Sequence, residues 1–230
     1  YHRDRYAISD ETLAHAREAV VATEEAGTLS QIGFARFVLG FTHLWNGELD
    51  PSEEQMRAAL RTAELIGDVT LQLRCLSYLT VVARKRDDLR QVESYLERVD
   101  ALMAHSRVPD SLYMGVASGN RAWIAWRTRQ ASQVRAHARA ALGWWKKMGA
   151  PNPLEWLARF PLASVMLGAG EVEQAVDEAR ALLRPPQQIL LEPVATALET
   201  AIQKWEGGDR AGAHSQLSLA LELAETSGYL

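Results

Sequence analysis

The chain has 230 residues, 47% of them hydrophobic and 23% charged, with a formal net charge of −4 at pH 7. A folded chain of this length buries roughly 70% of its extended surface, so it needs no disulfide or metal staple, and it suffices for one or two domains or one elongated repeat. The single cysteine, Cys75, excludes an internal disulfide, no CxxC or Cys/His cluster indicates zinc, and no apolar run reaches the roughly 20 residues of a membrane span.

A reduced, cytoplasmic setting is therefore expected, and the N-terminus carries no signal-peptide pattern. Ala, Leu, Glu, Arg and Gln dominate, and no Asn-Gly or Asp-Gly turn separates alternating apolar runs, so the expected class is all-α.

In chain order, a first helix is expected near residues 9–26, ending at Gly27. It reads as the second helix of a pair whose partner lies upstream, with one apolar face left uncapped. Together with a chain that begins at Tyr1, this suggests a piece of a longer protein. Asn46-Gly47 marks a helix C-terminus, and Asp50-Pro51-Ser52-Glu53 marks the next helix start, with Asp50 as cap and Pro51 at the first helical position. Gly67-Asp68 ends that helix. Further ends fall at Gly149-Ala150-Pro151, Arg184-Pro185-Pro186 and Ser227-Gly228, and Asn152-Pro153-Leu154-Glu155 resembles a second capped start. About eleven helices follow from these signals.

Five short turns recur with centres at Gly47, Arg86, Arg129, Gly170 and Gly208, spaced 39, 43, 41 and 38 residues apart. Nine positions after each centre stands Met56, Tyr95, Ala138, Ala179 or Leu217, and thirteen after it Leu60, Val99, Leu142, Leu183 or Leu221. Offsets of five, nine, twelve and thirteen share one face of a helix. One position before the thirteenth stands Ala59, Arg98, Ala141, Leu182 or Ala220.

This register resembles the tetratricopeptide repeat (TPR), in which helix A ends at a Gly-Asp turn and helix B carries small residues at fixed offsets. Gly208-Asp209 with Ala213 and Ala220, and Gly170-Glu171 with Ala175 and Ala179, carry the likeness best. Seven residues before the turn, where the family places a small residue, stand Gly40, Leu79, Ala122, Ala163 and Ala201; Leu79 departs from the pattern. The resemblance implies a right-handed α-α superhelix of about five helix pairs plus an extra N-terminal helix, forming one domain over residues 1–230. The segment from Arg121 to Leu183 is also similar to the C-terminal sensor arrays of bacterial signalling ATPases and cyclase-linked regulators. That likeness implies a non-catalytic module that binds a protein, peptide or small effector within a regulator. A dimerisation scaffold with no separate ligand is the alternative.

No GxxxxGK[ST] or GxGxxG motif is present, and His2, His15, His43, His105, His137 and His214 form no close ligand pair, so neither a catalytic site, a cofactor nor a metal is expected. Cys75 reads as a small buried apolar residue. Two features point to binding. The resemblance places Phe34, Phe37, Phe41 and Trp45, then Trp123, Trp126 and Arg127, then Phe160, on the concave face of the array. There they either line a groove or fill the interior. The second feature is charge: between Asp110 and Glu155 no acid occurs, and the local charge is +7. Arg135, Arg139 and Lys146 lie within about 40° of one another around a helix. This basic stripe either attracts an acidic partner or pairs with acidic neighbouring repeats; specific nucleic-acid binding is disfavoured by the net negative charge. Trp144 is expected to pack on Pro151 and Trp156, while its neighbour Trp145 faces the core.

Overall fold

The computed structural model describes residues 7–104, 111–148 and 152–230, with the side chains of 111 and 112 left aside. His2, His105, Asp110 and the Gly149-Ala150-Pro151 signal lie outside these residues. Among the described residues there are eleven helices and no strand. They are α1 (Asp10–Ala26), α2 (Leu29–Trp45), α3 (Leu49–Ile66), α4 (Val69–Lys85), α5 (Leu89–Ala104), α6 (Ser111–Arg127), α7 (Ala131–Lys147), α8 (Trp156–Gly168), α9 (Val172–Leu183), α10 (Glu192–Glu206) and α11 (Arg210–Thr226). No helix among the described residues is long and apolar enough to cross a membrane. The helices group into two compact units, α1–α5 and α6–α11.

Within each unit consecutive helices pack as pairs: α2 with α3 and α4 with α5, then α6 with α7, α8 with α9 and α10 with α11. All five pairs turn through the same backbone device. The amides of Glu48, Asp88, Gln130, Glu171 and Asp209 donate to the carbonyls of His43, Ala83, Ala125, Met166 and Lys204, five residues back. The residue before each donor is left-handed: Gly47, Asp87, Arg129, Gly170 and Gly208, with φ of 82°, 57°, 59°, 77° and 81°. This is the Schellman ending of a helix, which captures carbonyls the last turn cannot satisfy.

The second turn centre is thus Asp87 rather than Arg86, and the shift removes the departure at Leu79. The small position seven residues before the turn becomes Thr80 in place of Leu79, and Thr80 is fully buried. The twelfth place becomes Val99, which is buried, while Arg98 points to solvent. In this register offsets five, nine and twelve are buried in every pair. Ser52, Met56 and Ala59 serve the first and Val92, Leu96 and Val99 the second. Val134, Ala138 and Ala141, then Ala175, Ala179 and Leu182, then Ala213, Leu217 and Ala220 complete the set. Offset thirteen is only half-buried at Leu142, Leu183 and Leu221.

Small residues at the seventh place let helix backbones meet. A β-carbon on Gly40 would stand 3.0 Å from both the Met56 nitrogen and the Ser52 carbonyl oxygen of α3. Helix starts differ from expectation in two places. The α3 cap is Glu48, so Asp50 and Pro51 lie inside the helix. Asn152 does not cap α8; its side chain accepts from the Leu154 amide at 2.9 Å and shapes a turn before the helix begins at Trp156. The remaining end signals coincide with helix ends at Gly27, Gly67, Arg184 and Ser227.

The first helix packs on α2 through Leu13, Ala16 and Val20, which meet Ala35 and Leu39. Its other faces carry Arg17, Glu18, Glu24 and Glu25, and Val21 is its one large apolar residue exposed among the described residues. Apart from Val21, the large apolar residues of α1 lie on this one seam.

Candidate functional site

The first group of aromatics forms a ladder along α2. Phe37, Phe41 and Trp45 recur every four residues, so they stack up one side of the helix, and Tyr78 of α4 meets all three rings at 5.8, 4.9 and 6.5 Å. These three are buried; only Phe34, 47% exposed, offers a face, with the Arg74 guanidinium 5.8 Å from its centroid.

In the second unit two of the four expected groove residues are interior. Trp123 and Phe160 are both 0% exposed, and Phe160 and Trp156 lie 5.5 and 5.2 Å from the ring of Tyr229, which folds back after α11. Fully buried, Trp123 and Phe160 offer no surface to a partner. Trp145 is buried too, and its seat escaped the sequence reading. A β-carbon on Gly115 would stand 2.2 Å from its Nε1, and one on Gly119 3.5 Å from its Cη2. Two glycines one turn apart on α6 let the indole lie on bare backbone. The spacing Gly115–Gly119 was the available signal. Trp144 is half-buried with the Lys147 ammonium 4.1 Å from its ring centroid, and Trp156 makes its ring contact with Tyr229.

Trp126 alone of the second-unit groove aromatics stays half-buried, and it borders a hollow of about 380 Å³ beside the α6–α7 turn. Its indole N–H donates to Ser164 Oγ at 2.9 Å, which fixes the ring against α8. Val134 of α7 and Val165 of α8 supply apolar wall, Gly168 and Ala169 one end, and Arg129 the rim. Arg135 also lines this hollow and forms two parallel bonds of 2.9 Å to both carboxylate oxygens of Glu171. A second hollow of about 300 Å³ lies at the α8–α9 turn, bounded by Gly170, Glu171, Glu173, Trp205 and Arg210. There the Arg210 guanidinium lies 4.3 Å over the Trp205 ring.

The basic stripe therefore divides. Arg135 is committed to the next pair through Glu171, whereas Arg139 and Lys146 are exposed and have no ion pair among the described residues. Arg127 reaches Glu225 of α11 at 4.0 Å and lies 6.0 Å over Trp123.

Other titratable groups serve packing. Arg159 holds Glu155 at 2.6 Å and Glu178 at 2.5 Å, and burial pushes the Glu178 carboxyl above its ordinary value against the pull of Arg159. His43 bonds Glu48 across the first turn, and that bond lowers the Glu48 carboxyl. Cys75 is buried in α4, and burial pushes its thiol up to about 12. Among the described residues no group of three His, Cys, Asp or Glu side chains is arranged to hold a metal ion. No protein-family model matches the chain, and no curated protein matches it at a significant level.

Proposed function

We propose that this chain is a non-catalytic binding module of TPR-like helix pairs, which captures a protein or peptide partner for a larger regulatory protein. The observation that carries the reading is the hollow of about 380 Å³ beside Trp126, which combines an oriented indole, apolar walls and a cationic rim. The five identical turns support the TPR-like part of the reading, and the right-handed superhelical winding of the pairs belongs to the same proposal. The regulatory setting rests on the sequence likeness of the Arg121–Leu183 segment.

Panning an unbiased displayed-peptide library against the full chain tests this. Recurrent sequences that bind saturably are expected. A library that yields no enriched sequence overturns it.

A second reading has its own support. Leu29, Phe34, Leu65 and Val69 are large apolar residues left exposed in the first unit, as a subunit contact would require. Sedimentation of the chain over a range of concentrations distinguishes the two. A stable dimer that Phe34→Ser dissolves would favour the architectural role.

A further inference from the structure

Two helices each leave one side unpartnered, and the two sides carry opposite charge. Among the described residues α1 packs on α2 alone, through Leu13, Ala16 and Val20. α7 packs on α6 and α8 and buries Val134, Ala138, Ala141 and Trp145. The open side of α1 exposes Glu11, Glu18 and Glu25, and that of α7 exposes Ser132, Arg139 and Lys146. The whole helices differ in the same sense. Five acids of α1 stand against Arg17 alone, whereas α7 has four Arg and Lys residues and no acid.

The exposed charges fall in matching rows. Seven residues separate each member of Glu11, Glu18 and Glu25 from the next, and likewise of Ser132, Arg139 and Lys146. A seven-residue step advances roughly 10 Å along a helix and drifts only about 20° around it, so each row is nearly straight. Glu18 and Arg139 are the middle members, so they oppose one another whichever way two such helices run. Beside each row the exposed side chains are short, Ala14 and Ala22 on α1 and Ala136 and Gly143 on α7. Small residues at a contact permit the closer helix spacings.

These rows have no counterpart within the chain. Among the described residues the one acid of α1 in an ion pair is Glu24, with Arg36, and the one cation of α7 in an ion pair is Arg135, with Glu171. Every further copy of the chain offers the complementary row to each.

We propose that α1 of one copy packs on α7 of a second copy, with Glu18 opposite Arg139 at the centre of the contact. Charge complementarity selects this occupant, and the exposed Val21 adds apolar surface on the α1 side. The contact is separate from the hollow of the binding-module reading and stands or falls without it. Exposed ion pairs contribute little individually and are screened by salt, so the association is weak, reversible and strongest at low ionic strength.

Sedimentation velocity of the full chain over a range of concentrations, at about 0.02 M and about 0.5 M salt, tests this. Self-association is expected at the lower salt and its loss at the higher. Glu18→Arg and Arg139→Glu should each weaken it about tenfold, because like charges then meet at the centre. Both positions are exposed on helices, so the fold accepts either change. An equimolar mixture of the two variants should recover the association, since each then supplies the row the other requires. A chain that stays monomeric at low salt, association indifferent to salt or to both variants, or a mixture no better than its components would each overturn the proposal. Association that survives both charge reversals and is dissolved by Phe34→Ser would overturn it too, and would place the contact on the apolar face of the first unit.

Discussion

The indole of Trp145 lies directly on the backbone of Gly115, so close that a β-carbon at residue 115 would be 2.2 Å from Nε1. This contact joins α7 to α6 and leaves the packed ring no room to retreat. Gly115→Ala is expected to cost roughly 3 kcal/mol of unfolding free energy by overpacking. Gly143, exposed on α7 with nothing within 4 Å of an added β-carbon, is the control. Gly143→Ala should stabilise by about 0.5–1 kcal/mol, since alanine restricts the unfolded chain and favours helix. Urea denaturation of the two variants measures both; equal effects would mean the ring is not seated on Gly115.

Trp123 and Phe34, grouped together by the sequence pattern, should respond oppositely to truncation. Trp123→Ala removes a fully buried indole and is expected to cost about 3–5 kcal/mol. Phe34→Ser alters a half-exposed ring and should cost under about 1 kcal/mol. Thermal melts decide the matter, and similar losses would show that Trp123 is not interior.

Arg159 neutralises two carboxylates with little solvent, its own side chain being 17% exposed and that of Glu178 14%. Arg159→Met should cost about 2 kcal/mol at pH 7, less than for a fully buried pair because some water remains. The pH dependence follows from the raised Glu178 value. A carboxyl whose folded value exceeds its unfolded one adds stability below the unfolded value and loses it as pH rises through the folded one. Without Arg159 the folded value rises further, so the deficit of the variant should shrink as pH falls from 7 to 5. A deficit independent of pH, followed by denaturation at each pH, would show that Glu178 does not depend on Arg159.

Cys75 should be chemically silent in the folded chain. Its thiol is buried and its ionisation is pushed up to about 12, so little thiolate exists at pH 8 and none is accessible. Labelling by a disulfide reagent should be negligible in buffer and complete in urea. Rapid labelling of the native chain would contradict this.

The repeat was legible because its determinants are local. A glycine after an amphipathic run accepts the left-handed turn, and apolar spacing then marks one helix face, so Gly47, Gly170 and Gly208 and the buried residues nine and twelve places after them were legible, while the thirteenth place is half-buried at Leu183 and Leu221. At the second turn no glycine is present, and local chemistry chose poorly between Arg86 and Asp87; the structure assigns the positive φ to Asp87. The hollow beside Trp126 was half legible. Trp126 and Arg135 were singled out for different reasons, but neither Ser164 nor Val165 bears a signal that they meet there.

What the sequence determined alone was the all-helical class, most of the helix ends and four of the five turn centres, because each depends on residues within about one helical turn of another. What only the tertiary structure decided was which aromatic faces remain open. Phe160 and Trp156 are covered by Tyr229 from beyond α11, Trp145 finds its seat on Gly115, and Trp126 keeps an open side next to Arg129. Exposure depends on which distant element closes over a side chain, and helical periodicity records only the face it leaves from.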